Sequence, residues 1–198
     1  MKKGRLEAFS DGVIAIIITI MVLELHTPIG DHIDALLPLW PVLLSYVLSF
    51  TYVGIYWNNH HHMLSAVDKI NGTTLWLNLH LLFWLSLIPF TTEWMGASHF
   101  SKWPIALYGM VLIMNGIAYT LLCAELIRQA GPQSALAEAL GADWKGKASL
   151  AIYAVAIAVA FLNSRVSLVL YIVVACMWFI PDRRIEKMVT AGGGNKGD

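Results

Sequence analysis

One uninterrupted apolar run, Gly12 to Leu23, constrains this chain more than any other feature. Thr19 is its only residue with a polar side-chain atom. The seven residues before it, RLEAFSD at 5–11, carry Arg5, Glu7, Ser10 and Asp11. A helix that is apolar all round at one end and polar at the other is either a membrane span or the centre of a large core. At about 100° per residue, Ile16, Ile20 and Leu23 fall in one narrow stripe, with Thr19 beside it. Ser10 and Asp11 point away from that stripe. Such a stripe suits a pore wall, a lipid-facing surface or core packing, and periodicity alone does not choose among them.

Composition decides between span and core. Of the 198 residues, 58% are hydrophobic and 13% charged, where soluble domains carry about 25% charged residues. So little polar surface implies an all-α, multi-pass integral membrane protein. The net charge is zero, which offers nothing to a nucleic-acid partner. Cys123 and Cys176 lie in apolar runs and read as buried hydrophobes. The first run has no small-x-small cleavage site, so its helix is expected to remain.

Five further apolar runs follow: Leu36–Trp57, about Thr74 to Trp94, Trp103–Ile127, Ala148–Leu162 and Val166–Ile180. The spacing predicts six spans in a single domain over residues 1–181. A short surface helix is expected in SALAEAL, and a disordered cytoplasmic tail over 182–198. The last two runs have 15 residues each, about 22 Å of helix against a hydrocarbon core of roughly 30 Å. Full spans are preferred to a re-entrant hairpin. With the N-terminus inside, eleven Lys and Arg fall on the inner side and only Lys102 and Arg165 outside. The positive-inside rule then places both termini in the cytoplasm.

Polar groups at membrane depth cost several kcal/mol unless paired. Alternating helices bring Arg5, Ser10 and Asp11 to the depth of Trp57, His60, His61, His62, Asn78 and His80. An Asp–His or Asp–Arg contact with Asn and Trp donors would satisfy them as a clamp between helices. Three consecutive histidines point about 100° apart and cannot share one metal. Glu24 is expected near the outer mouth, where carboxylates concentrate cations. No GxSxG, HExxH, P-loop or dinucleotide fingerprint occurs, so neither an enzyme nor a bound cofactor is expected.

These residues carry a resemblance. RLEAFSDGV at 5–13 fits the RxxxFSD signature of the transmembrane protein 175 family of potassium channels. YWNNHH at 56–61 resembles that family's W-x-x-H pattern, and LWLNL at 75–79 with IPFTT at 88–92 its third-helix pattern. The resemblance spans residues 5–92. It implies one six-helix unit per chain, a homotetramer in the lipid bilayer, and helix one lining the pore. It places an apolar constriction on Ile16, Ile20 and Leu23, potassium preference on Thr19, and no TVGYG filter. It holds Arg5, Phe9, Ser10, Asp11, Trp57, His60, His61 and Asn78 as a structural polar network. Potassium in the cytoplasmic membrane is then the transported ion. The alternatives are a proton-coupled secondary transporter using Asp11, His80 and Glu24, and a metalloenzyme using His60 to His62 with Asp68.

Overall fold

A computed structural model describes residues 3–67, 69–131, 133–134, 136–137 and 143–179. Its regular elements are all helical: α1 (Lys3–Leu23), a 3₁₀ segment (Ile33–Leu39), α2 (Trp40–Ser65), α3 (Gly72–Ser86), α4 (Ile88–Ala97), α5 (Lys102–Ala130), α6 (Trp144–Ala160) and α7 (Ser164–Phe179). Most of SALAEAL and the whole 182–198 tail lie outside the described residues.

Local chemistry sets the boundaries. Pro41 occupies the first turn of α2, where a missing amide hydrogen costs nothing. Asn71 caps α3 by accepting from the Thr74 amide at 2.8 Å, and Asp143 caps α6 through the Gly146 amide at 2.8 Å. The apolar run over Thr74–Trp94, expected as one helix, is two, broken at Leu87. Pro89 lacks the N–H that would bond the Leu85 carbonyl, and its ring crowds that carbonyl. At the break the Trp84 carbonyl accepts from the Leu87 amide and from Asn115 Nδ2, each at 3.2 Å.

Contacts between helix ends show alternating direction. Lys3 Nζ reaches the Ser65 carbonyl, Asn71 meets Glu125, and Trp178 meets Ser149. At the other end, Trp40 lies against Phe100 and Trp103 against Phe161. Tryptophans at both ends, with apolar side chains outward between them, match a bilayer and its interfaces.

Four stretches are long and apolar enough to cross a membrane: α1, the 3₁₀ segment with α2, α3 with α4, and α5. With 17 and 16 residues, α6 and α7 reach only about 24–26 Å. Two apolar cores sit side by side. One joins α1, α2, α3 and α5. The other joins α2, α5, α6 and α7 around Tyr52, Tyr108, Tyr153 and Tyr171. Between α2 and α4 the backbones touch: a Cβ on Gly96 would lie 2.8 Å from Val42 Cα.

Candidate pore helix and its polar anchor

Helix α1 has two unlike sides. Leu6, Ser10, Ile14, Ile17 and Met21 are buried against the rest of the chain. Ile16 is 60% exposed, Ile20 40% and Leu23 73%, and Thr19 is exposed between them. Thr19 donates its hydroxyl hydrogen to the Ala15 carbonyl at 2.9 Å. The hydroxyl proton is therefore spent within the helix, and the oxygen lone pairs face outward. That face is aliphatic, with the Thr19 oxygen as its one polar side-chain atom between Ile16 and Leu23.

The buried side is tied down by a chain of hydrogen bonds. Asn78 of α3 donates to Ser10 Oγ at 2.9 Å. Its Oδ1 lies 2.7 Å from His60 Nε2 of α2. A carboxamide oxygen only accepts, so His60 carries its proton on Nε2. All three side chains are at most 2% exposed. Beside them, Trp57 Nε1 donates to Asp11 Oδ1 at 3.0 Å, and His61 stacks on Trp57 with centroids 6.1 Å apart.

Of the polar network expected from sequence, Ser10, Asp11, Trp57, His60, His61 and Asn78 come together. Phe9 and Arg5 do not. Phe9 is 52% exposed. Arg5 is exposed on the Ile16 side of α1, since the eleven residues between them make about three helical turns. The expected Asp11–His and Asp11–Arg contacts are absent among the described residues, because the indole N–H of Trp57 reaches the carboxylate instead. His80 is likewise outside the network; its Nε2 accepts from Trp84 Nε1 at 2.9 Å one turn along α3. The three consecutive histidines diverge: His60 is buried, His61 exposed and His62 half-buried. Among the described residues no three His, Cys, Asp or Glu side chains converge as metal ligands. Glu24 lines a hollow at the far end of α1 with His26 and Glu93.

A second polar cluster was not anticipated from sequence. The Glu125 carboxylate takes Asn71 Nδ2, Gln129 Nε2 and two Arg128 nitrogens, all within 2.9 Å. It joins the end of α5 to the start of α3. Its signals were the E-x-x-R-Q spacing, which puts three side chains on one helix face, and the Asn71 cap.

An alternating bundle with outward apolar faces, aromatic ends and polar groups paired internally is a multi-pass helical membrane protein. The family model described as endosomal/lysosomal potassium channel TMEM175 matches residues 5–89. A potassium channel of Chryseobacterium sp. (strain P1-3) is 55% identical over 187 residues, 94% of this chain and 97% of that protein. Another from Streptomyces collinus is 35% identical over 135 residues, covering 64% and 66%. The crystal structure of a lysosomal potassium-selective channel TMEM175 homolog from Chamaesiphon minutus superposes with a TM-score of 0.77 at 26% identity, over 90% of this chain and 96% of that one. The chain belongs to the TMEM175 family.

Proposed function

We propose that this chain is a potassium channel in which four copies of α1 surround a central pore through the cytoplasmic membrane. The observation that carries the reading is the division of α1. Its polar residues Ser10 and Asp11 are held by the subunit's own helices, while Ile16, Thr19, Ile20 and Leu23 stay exposed, Ile20 only partly, at 40%. The matched relatives, potassium channels by name, support the ion.

In this reading rings of Ile16, Ile20 and Leu23 form the narrow part of the pore. Aliphatic walls cannot replace an ion's hydration shell, so a narrow ring dewets and blocks, and widening it conducts. Thr19, with its proton turned into the helix, offers oxygen to a partly dehydrated ion. Selectivity is set there and is modest. Six full crossings, with α6 and α7 completed by their flanks, put both termini in the cytoplasm, as the distribution of Lys and Arg favours.

The test is purified protein in planar bilayers, with subunits counted by native mass. Potassium current from a tetramer is expected. Ile16→Asn wets the constriction and raises the leak. Absence of potassium current from folded wild-type protein, or a monomeric active species, overturns the proposal.

A further inference from the structure

The connection from α1 to α2 is apolar where nothing else in the chain covers it. Ile29, Ile33, Leu36 and Leu37 are all exposed, Ile29 at 102% and Ile33 at 78%. The 3₁₀ segment that holds three of them has no buried residue. Four large apolar side chains so close in sequence make a patch, not the scattered exposure of an ordinary surface.

Tryptophans fix the level at which this connection stands. Trp40 and Trp57 are 17 residues apart on α2, about 26 Å of helix. Trp76 and Trp94 are 18 residues apart along α3 and α4, about 27 Å. All four are exposed. They mark two aromatic levels about one hydrocarbon thickness apart, with Trp40 and Trp94 at the Leu23 end. Residues 29–37 join α1 to α2 at that end, next to the Trp40 level. The apolar stretch Ile33–Ser65 has 33 residues, where a crossing takes about 20. Its surplus lies at the Ile33 end, because the other end turns polar at Asn58, Asn59 and the three histidines. Pro38 and Pro41 remove two of the amide donors that would hold this surplus on the axis of α2.

Charge selects what covers the patch. Residues 24–39 carry Glu24, Asp31 and Asp34 and no Lys or Arg. A second copy of the same segment would bring like charges together. Lipid covers the apolar side chains without that repulsion and leaves the carboxylates in water.

We propose that residues 29–37 form an interfacial anchor. Ile29, Ile33, Leu36 and Leu37 enter the boundary between headgroups and acyl chains in the leaflet at the Leu23 end, and Asp31 and Asp34 stay at its surface. On the topology proposed above this is the outer leaflet; the contact itself does not depend on conduction. The segment follows α1, so the anchor holds the Leu23 end of that helix at a fixed depth. Zwitterionic lipid suffices, since an anionic headgroup meets the same acidic residues.

Spin labels on the full-length protein in phosphatidylcholine nanodiscs test this. Cys123 is buried and Cys176 exposed, so Cys176→Ser supplies the background. Labels go on Ile33→Cys and on Leu37→Cys. Val155→Cys, outward on α6, is the lipid reference, and Gln133→Cys, exposed in the connection after α5, is the water reference. Collisions with oxygen, which concentrates in lipid, are compared with those of a water-soluble nickel chelate. The oxygen-to-nickel ratio at Ile33 and Leu37 should be several-fold above that at Gln133 and approach that at Val155. A ratio equal to that at Gln133 puts the segment in water, and poor access to both reagents puts it against protein, a neighbouring copy included; either result overturns the assignment. In the double variant Ile33→Ser, Leu37→Ser, a label on Ile29→Cys should lose several-fold of its ratio. No loss would mean that something other than these side chains holds the segment, and would overturn it too. Melting temperatures confirm that each variant is folded. Potassium current is read separately, so failure of the anchor and failure of the pore reading are told apart.

Discussion

Replacing Asn78 by Leu isolates the anchor of α1. Asn78 is fully buried and holds both neighbours, donating to Ser10 and accepting from His60. Leu keeps the branching and the number of side-chain heavy atoms but is bulkier, so some overpacking adds to the polar loss. Interhelical hydrogen bonds in a bilayer average about 0.6 kcal/mol and reach about 1.7, so two amount to about 1–3 kcal/mol. The Ser10 hydroxyl and the His60 N–H are then stranded in a dry interface, and each unsatisfied group costs about 1–3 kcal/mol. Some of that overlaps with the bond energies, and a total loss of about 2–4 kcal/mol is expected. Trp57→Phe breaks the neighbouring bond to Asp11, but both groups are exposed and water replaces the partner, so about 0.5 kcal/mol is expected. Unfolding of the full-length protein in mixed micelles by added denaturing detergent measures both. If Asn78→Leu loses no more than Trp57→Phe, burial is not what gives this network its weight.

The other predictions concern separate sites. Thr19→Val keeps the shape and removes the outward oxygen; a lost contact of about 1 kcal/mol lowers the potassium-to-sodium permeability ratio roughly fivefold, read from reversal potentials, while Thr19→Ser should retain it. Ile16→Asn should increase current, whereas Val155→Asn, an exposed α6 position, should lower stability and leave current unchanged; the reverse pattern would put Ile16 in lipid. Gly96→Ala drives a methyl into the α2 backbone and should cost about 1–3 kcal/mol by overpacking, seen as a lower melting temperature. Glu125→Gln removes the charge that gathers Asn71, Gln129 and Arg128 and should speed amide exchange at the start of α3, with α6 unaffected.

What sequence made legible was set by how local the cause is. Helical content and the first span follow from hydropathy over some twenty residues, and Ser10, Asp11, Trp57, His60 and Asn78 could be grouped because polar groups at one depth must pair. Which partner each takes depends on tertiary geometry: Asp11 meets an indole, and Asn78 stands between His60 and Ser10. His80 lies only two residues from Asn78, yet α3 turns it through about 200°, away from the anchor and toward Trp84. The break at Leu87 was signalled by Pro89 but hidden inside a run still apolar enough to read as one span. The α5–α3 latch at Glu125 joins side chains 54 residues apart, beyond the reach of any periodicity.

The two faces of α1 show why hydropathy alone could not name a pore. In water, burial and exposure sort apolar from polar residues; in a bilayer both sides of a span are apolar. Ile14 and Ile17 inside the subunit are chemically the same as Ile16 and Ile20 outside it. What separates them is the position of Ser10, which must face its partners and so fixes the rotation of the helix about its axis. Once Ser10 is bonded to Asn78, Ile16, Ile20 and Leu23 are forced to the uncovered side. The polar anchor thus determines which aliphatic side chains a neighbouring copy or an ion route can meet.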